Sequence, residues 1–264
     1  MARINTTALI VAAGNGVRAE TALPKQFARL GGKTVLAHSV EALRSHPEID
    51  DVVVVIGPGQ EALLAETGLN ARFVIGGSTR RDSVLAGLAT VAGERVLIHD
   101  AARPLLPPQV IDRLLAALDD HEGAVPVLPV ADTLARGSDG LLGEGVTRTG
   151  VFRVQTPQAF ALSAIRKAHA RWPEHAEATD DASVAQAAEL RVAVVEGHPL
   201  LEKLTYPSDF AAAEARLGGT LVSRSATGFD VHRLEAGEEL WLGGVLIPHH
   251  LGLSGHSEIG RAHV

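Results

Sequence analysis

Apolar residues in the first hundred positions come in two alternating rhythms. Short runs, Ala8-Leu-Ile-Val-Ala-Ala13, Asp51-Val-Val-Val-Val-Ile-Gly57, Ala71-Arg-Phe-Val-Ile75 and Arg95-Val-Leu-Ile-His99, have the length and branched content of strands covered on both faces. Between them lie helical spacings: residues 34–46, with Val35, Leu36, Val40 and Leu43 on one side, then 60–68, then 82–91 with Asp82 or Ser83 placed to cap free N–H groups. Strand followed by helix, repeated, predicts a Rossmann-like, doubly wound and mainly parallel α/β sheet that binds ligands at the carboxyl ends of its strands. Further on, Pro107-Pro108 opens a helix over 109–120, and residues 123–130 read as a proline-interrupted strand. Over 132–160 the helical spacing disappears, and β segments alternate around Gly and Asp turns. They predict a protruding β-arm whose edges a second subunit can cover. Helices over 163–171 and from 178, a strand over 191–195 and a helix from Pro207 to 217 complete the pattern, and Gly218-Gly219 marks a boundary. The expected organisation is a domain over 1–217, a linker over 218–226 and a short segment over 227–264.

Three chemically loaded stretches fall at strand ends. The first strand breaks into Gly14-Asn15-Gly16, followed by Arg18 and Pro24-Lys25. Glycines there let backbone N–H groups approach an anion, and the two cations can close over it; a plain strand-to-helix turn uses the same residues. The stretch also satisfies the dinucleotide pattern G-x-G-x-x-G/A, which keeps an NAD-linked oxidoreductase as an alternative. Two features oppose it. Pro24 falls where that helix should continue, at a cost of about 3 kcal/mol, and Asp50-Asp51 precedes the second strand rather than ending it. Residues 76–83 and 99–103 are the other two stretches. Displacing pyrophosphate from a nucleotide develops charge on phosphate oxygens, so it needs positioned cations and a divalent metal more than a nucleophile. Arg18, Lys25, Arg103, Arg148 and Lys203 are such cations, and Asp100 can meet the metal or a substrate hydroxyl. Singly, each reads as a surface charge; grouped at strand ends, they read as a site.

Composition narrows this further. The 264 residues are 46% hydrophobic but only 3% aromatic, as expected of a Val/Leu/Ile/Ala core between sheet and helices. The absence of cysteine excludes thiol nucleophiles, disulfides and Cys-ligated metal. A formal charge of −7 argues against a nucleic-acid surface. No apolar run reaches the roughly 20 residues that span a bilayer. The first apolar stretch is too short for a signal peptide, so the expected location is the cytoplasm.

Residues 5–217 resemble the 2-C-methyl-D-erythritol 4-phosphate cytidylyltransferase family. The matching motifs are Ala12-Ala-Gly-Asn-Gly-Val-Arg18, Pro24-Lys25-Gln26, Asp82-Ser-Val-Leu-Ala-Gly-Leu88, His99-Asp-Ala-Ala-Arg103, Asp132-Thr133, Thr156-Pro-Gln158, Thr179-Asp180 and Glu202-Lys203-Leu-Thr205. The resemblance implies a fold of the nucleotide-diphospho-sugar transferase type, a homodimer joined through the arm, and transfer of CMP from CTP with Mg²⁺. It further implies that Ala12, Ala13, Gly14 and Gly16 cradle CTP, that Gly77 and Ser83 contact the cytidine, with Asp100 also at the nucleotide, and that Arg18 and Lys25 hold the triphosphate. Asp100, Arg103, Thr133, Thr179 and Lys203 would bind the methylerythritol phosphate, with Arg148 supplied by the other chain. Arg18, Lys25, Arg148 and Lys203 are the implied catalytic set. Ser78 stands where relatives often have an acidic residue. A transferase for another polyol phosphate, such as ribitol phosphate, is the alternative nearest to this one.

Residues 227–257 resemble the start of 2-C-methyl-D-erythritol 2,4-cyclodiphosphate synthase, through Gly228-Phe-Asp-Val-His-Arg-Leu234, Gly243-Gly-Val-Leu-Ile-Pro248 and Gly255-His-Ser257. That resemblance implies a divalent metal on Asp230 and His232, which alternate toward one face of an extended segment. The family's third metal-binding histidine lies beyond this C-terminus, so the expected state is a truncated domain without cyclase activity, disordered or merely docked. The ending Glu258-Ile-Gly-Arg-Ala-His-Val264 reads as translated sequencing adapter rather than native sequence.

Overall fold

The computed structural model describes residues 4–14, 23–173, 176, 178–219, 233–242 and 245–254. Two compact units are present, Met1–Thr220 and Leu221–Val264. The strands of the first unit are β1 (Thr6–Ala12), β2 (Arg29–Leu30), β3 (Lys33–Thr34), β4 (Asp51–Ile56), β5 (Arg72–Ile75), β6 (Arg95–Asp100), β7 (Gly123–Pro129), β8 (Leu134–Ser138), β9 (Leu141–Val146), β10 (Phe152–Val154), β11 (Gln158–Ala161) and β12 (Val192–Glu196). Its helices are α1 (Val35–Arg44), α2 (Glu61–Glu66), α3 (Arg80–Thr90), α4 (Pro108–Ala117), α5 (Leu162–Arg171), α6 (Asp181–Ala187) and α7 (Pro207–Gly218).

Eight strands form one sheet. The order β5-β4-β1-β6-β11-β7-β12 crosses it, and β10 lies beside the far half of β7, on the same side as β11. Strands β1, β4, β5 and β6 are parallel, as are β7 and β12, while β10 and β11 run against their neighbours. The chain moves outward from β1 through β4 to β5, then returns to the other flank of β1 as β6. That reversal opens a crevice beyond the carboxyl ends of β1 and β6, where a doubly wound sheet binds its ligands.

The strand runs are apolar throughout because both faces are covered. Successive side chains alternate between faces. Ala8, Ile10, Val52, Val54 and Ile56 pack with Leu36, Val40 and Leu43 of α1 and with Val110, Ile111 and Leu114 of α4. Leu9, Val53, Val55, Val96 and Ile98 face the other way, onto Val84 and Leu88 of α3, Ile165 of α5 and Val184 of α6. Gly87 lets α3 lie close, since a Cβ there would stand 2.4 Å from Leu9 Cδ1 and 2.9 Å from Val55 Cγ2.

Two expectations change. The arm is shorter than 132–160: only β8 and β9, residues 134–146, pair as a separate hairpin, whereas β10 and β11 belong to the main sheet. Alternation alone cannot tell a strand that leaves the sheet from one that returns to it. Helix α3 also starts two residues early. Thr79 is its cap, with its side chain accepting the Asp82 N–H at 3.0 Å while the Asp82 carboxylate accepts the Thr79 N–H at 3.1 Å.

A buried polar chain ties β6 to the β10–β11 connection, which contains the cis Thr156–Pro157 bond. His99 Nε2 lies 3.1 Å from the Arg103 carbonyl, which can only accept, so Nε2 carries the proton. Nδ1 then accepts from the Thr156 hydroxyl at 3.2 Å, and Thr156 Oγ1 accepts the Asp100 N–H at 3.0 Å. Burial pushes His99 down to about 4, against the pull of Asp100.

In the second unit, β13 (Arg233–Glu235) pairs with β16 (Gly252–Ser254), and β14 (Leu240–Leu242) with β15 (Val245–Ile247), both antiparallel. Residues 233–242 and 245–254 thus carry paired strands where the sequence leads to a segment disordered or merely docked. Asp230 and His232 lie outside the described residues.

This packing sets two expectations for stability. Alanine at Gly87 should gain about 1 kcal/mol of helix propensity but lose about 1–3 kcal/mol to overpacking against Leu9, for a net loss. Urea unfolding should show that loss, and show it reduced in a Leu9→Ala background, where the closest contact is gone and the one with Val55 Cγ2 remains. The second concerns His99, which is protonated in the unfolded chain before the folded one. Stability is therefore full above about pH 6.5 and falls as the pH drops toward about 4. The expected loss is about 2–3 kcal/mol, and His99→Gln should remove that part of the pH dependence in unfolding curves from pH 7 to 4.5.

Candidate active site

The first wall of the crevice is the turn after β1. Gln26 fastens it: Nε2 donates to the carbonyls of Ala12 at 2.6 Å and Gly14 at 2.9 Å. Gln60 Oε1, 3.3 Å from that nitrogen, accepts the Gly57 N–H at 2.9 Å and so adds the end of β4 to the same knot. Both glutamines are buried. With its carbonyls occupied, the turn has its N–H side to offer an anion. Lys25 opens the short 3₁₀ helix Lys25–Phe27, anchored by buried Phe27, and its Nζ donates to the Leu204 carbonyl at 2.8 Å. It thereby reaches the segment that carries Lys203. Gly16 and Arg18 lie outside the described residues.

The second wall is the double glycine before α3. A Cβ at Gly76 would stand 2.5 Å from Ser83 Oγ and 3.0 Å from the Ala13 Cβ, and one at Gly77 would stand 2.3 Å from the Asp82 Cβ. The glycines are therefore required by close approach, and they bring Ala13, Gly77 and Ser83 to one place. Ser83 Oγ donates to the Thr79 carbonyl at 2.9 Å. Ser78 donates to Asp82 at 2.9 Å. Hydrogen bonds from Ser78 and Thr79 hold the Asp82 carboxyl below the usual carboxylate range. An acid at position 78 would repel that carboxylate, so the departure at Ser78 has a local partner.

The floor is Asp100, which β6 carries to the switch point. Its Oδ2 meets Lys203 Nζ at 2.7 Å, and its Oδ1 meets both Nε and Nη2 of Arg80 at 3.4 Å. Burial alone would push the Asp100 carboxyl up; Arg80 and Lys203 outweigh it and hold the group far below its ordinary range. Arg80 pairs at 2.8 Å with Asp181, the first residue of α6, and Asp181 in turn takes His169 Nε2 at 3.1 Å. Burial lowers Arg80, but Asp181 and Asp100 raise it further, so it stays charged. Arg103 turns back from the end of β6 and donates to the carbonyls of Leu201 and Val154. Burial lowers its pKa against the pull of Asp100 and Glu202. Its Nε is buried without a partner among the described residues.

The remaining implied residues stand apart from this floor. Thr133 and Arg148 lie exposed at the root of the β8–β9 hairpin, where Arg148 donates to the Ala131 carbonyl of its own chain. Neither hydrogen-bonds to Asp100, Arg103 or Lys203 among the described residues. Thr179 lies just before α6, with Oγ1 3.0 Å from Ser183 Oγ. The structure therefore joins Ala12, Ala13, Gly14, Lys25, Gly77, Ser83, Asp100, Arg103 and Lys203 at one end of the sheet, and leaves the arm residues outside that group.

Sequence reasoning passed over Arg80, Asp181 and the roles of Gln26 and Thr156. Placing the start of α3 at Asp82 left Arg80 in a turn, where a guanidinium reads as solvated. The Thr79-x-x-Asp82 capping box, visible in the sequence, would have moved it onto the helix. Gln158 was visible only as part of a motif. It fixes the start of α6 by accepting the Ala182 N–H at 2.9 Å and donating to Asp180 at 2.8 Å.

Comparison with known proteins agrees with this geometry. Residues 6–219 match the family described as IspD: 2-C-methyl-D-erythritol 4-phosphate cytidylyltransferase, and residues 223–260 match the YgbB family. A Bifunctional enzyme IspD/IspF of Rhizorhabdus wittichii is 59% identical over 254 residues, covering 95% of this chain and 66% of the relative, so the chain spans about two thirds of that protein's length. The crystal structure of 2-C-methyl-D-erythritol 4-phosphate cytidylyltransferase from Thermus thermophilus is similar with a TM-score of 0.71 at 38% identity, covering 81% of this chain and 98% of that one. Bifunctional IspDF from Campylobacter jejuni is similar with a TM-score of 0.70 at 30% identity, covering 96% of this chain and 66% of that one. With its switch-point crevice, glycine walls and cation-lined floor, the chain belongs to the IspD cytidylyltransferase family and continues into a segment of the YgbB family.

Proposed function

We propose that the first unit transfers CMP from CTP to 2-C-methyl-D-erythritol 4-phosphate, giving 4-diphosphocytidyl-2-C-methyl-D-erythritol and pyrophosphate. The observation that carries this reading is that Lys203 pairs with Asp100 while Lys25 and Arg103 are tied to the same segment, through the Leu204 and Leu201 carbonyls, and Gln26 fastens the Ala12–Gly14 turn beside Lys25. One crevice thus offers N–H groups and a cation to a triphosphate, and further cations to a second phosphate.

The chemistry is a substitution at phosphorus. An oxygen of the acceptor phosphate, already anionic, attacks the α-phosphorus of CTP, a new P–O bond forms, and the bond to the β-phosphate oxygen breaks with its electrons leaving on pyrophosphate. No general base is required. Ala13, Gly77 and Ser83 fit the cytidine, and the turn with Lys25 and Arg18 holds the triphosphate and the charge that develops on it. Lys203 and Arg103 hold the attacking phosphate in line, with Thr133, Thr179 and Arg148 completing the acceptor site.

Mg²⁺ belongs to this reading and fits the donor set. Among the described residues no cluster of three acidic or histidine side chains could hold an ion unaided, and Mg²⁺ is commonly held by one or two carboxylates together with substrate phosphates. Asp100 is the carboxylate in place, and bound Mg²⁺ would supply charge neutralisation of the phosphates. We further propose a homodimer formed through the β8–β9 hairpin, with Arg148 completing the neighbour's site, and a cytoplasmic location; no helix among the described residues is long and apolar enough to cross a membrane.

Pyrophosphate release tests the reading. It should require CTP and methylerythritol phosphate together, stop with EDTA and return with Mg²⁺; release with ribitol phosphate instead would favour the other polyol phosphate. Lys25→Ala should lower kcat by about 10²–10³-fold, as removal of an oxyanion donor does, and near-normal turnover would reject the assignment. Mixing inactive Lys25→Ala and Arg148→Ala proteins should restore activity, because a mixed dimer contains one intact site. No recovery, with mixed dimers verified, would place Arg148 in its own chain's site.

A further inference from the structure

Two cations hold Asp100, and they are mounted differently. Lys203 reaches Oδ2 at 2.7 Å on a side chain 42% exposed. Among the described residues Asp100 is the one acid it pairs with. Arg80 is only 25% exposed and belongs first to Asp181, at 2.8 Å, reaching Asp100 at 3.4 Å. Asp181 is 1% exposed and is gripped from its far side by His169, also 1% exposed. The strong contacts are therefore Lys203 with Asp100 and Arg80 with Asp181, with the long Arg80–Asp100 contact joining the pairs.

This asymmetry matters when a phosphate arrives. In the proposed reaction Lys203 binds the acceptor phosphate, which competes with Asp100 for the same ammonium and weakens their contact. Losing one partner of a buried ion pair is strongly destabilising when the other is left uncompensated. Arg80 is the protein's own guard against that outcome, in place before substrates bring Mg²⁺ to Asp100. Asp181 and His169 keep it in place whether or not Lys203 moves, and its side-on contact through two nitrogens restrains the Asp100 carboxylate. The four charged groups also sum to zero, so the cluster begins with each carboxylate matched.

We propose that Arg80 is a positioning residue, a resident counter-ion locked by Asp181, which holds Asp100 in place while Lys203 passes from Asp100 to the acceptor phosphate. This inference rests on the proposed transfer to a polyol phosphate. Without Arg80, Asp100 and Lys203 hold each other more tightly and the lysine is withheld from the substrate. The penalty falls on acceptor binding more than on CTP binding.

Arg80→Gln alone strands the buried Asp181 carboxylate. The test therefore uses Arg80→Gln/Asp181→Asn, in which the two charges leave together, with Arg80→Lys beside it. Pyrophosphate release by the full chain is measured with methylerythritol phosphate varied at saturating CTP and the reverse, alongside the thermal midpoint. In the double variant, KM for methylerythritol phosphate should rise about tenfold, equivalent to about 1.4 kcal/mol, while KM for CTP stays close to the wild-type value. Arg80→Lys should fall between. A lowered midpoint with both KM values unchanged overturns the proposal and leaves a purely structural ion cluster. If the double variant does not fold, Arg80→Lys decides, and a wild-type KM for the acceptor overturns it. Wild-type protein that releases no pyrophosphate from CTP and methylerythritol phosphate overturns the underlying reading, and the proposal with it.

Discussion

A carboxylate nearly removed from water must be matched by cations, and in this protein that demand is placed on Asp100 at the end of β6. Burial opposes its charge, while Arg80 and Lys203 restore it. The two cations come from separate places in the chain, the start of α3 and the segment after Leu201, so matching one charge draws those elements to the carboxyl end of the sheet. Asp181 brings α6 to the same point through Arg80. The Thr156–Gln158 turn serves both sides: Thr156 accepts the Asp100 N–H, and Gln158 fixes the first turn of α6. A segment that looks like a simple crossover therefore decides where the charges stand.

Close backbone approach is the complementary constraint. The β1 turn and the double glycine before α3 lie too near each other for a side chain at Gly76, whose Cβ would stand 3.0 Å from that of Ala13, while Gly77 is held bare by Asp82 of its own segment. Buried Gln26 and Gln60 fasten the first of these turns to β4. Both turns sit at the ends of strands whose order reverses around β1. The sheet needs no special residue to create that crevice, since the reversal leaves it open. What the sequence adds is small residues where the two turns come close and cations just past the strand ends.

Part of this was written in local patterns. Runs such as Leu9-Ile-Val and Val52-Val-Val-Val-Ile56 are readable as doubly covered strands because alternate side chains meet two different helix layers. The helix positions, the glycine turns and the cations after strand ends follow from spacing within a few residues. Helix α3 starts two residues before the position at which Asp82 resembles a cap, because Thr79, the true cap, forms the reciprocal bond with it. Strands β10 and β11 alternate like those of the arm, and only pairing with β6 and β7 shows that they belong to the sheet.

The sequence by itself determined the alternation of strands and helices, the positions of the tight turns and the supply of charged side chains, all of which depend on near neighbours along the chain. The tertiary structure decided which charges meet. Arg80 and Asp181 lie 101 residues apart, and Lys203 and Asp100 lie 103 apart. No periodicity reports such a distance, because the pairing depends on strand order and on helix docking across the sheet. Burial then turns that geometry into chemistry, since the same side chains spread over the surface would be screened by water and do little.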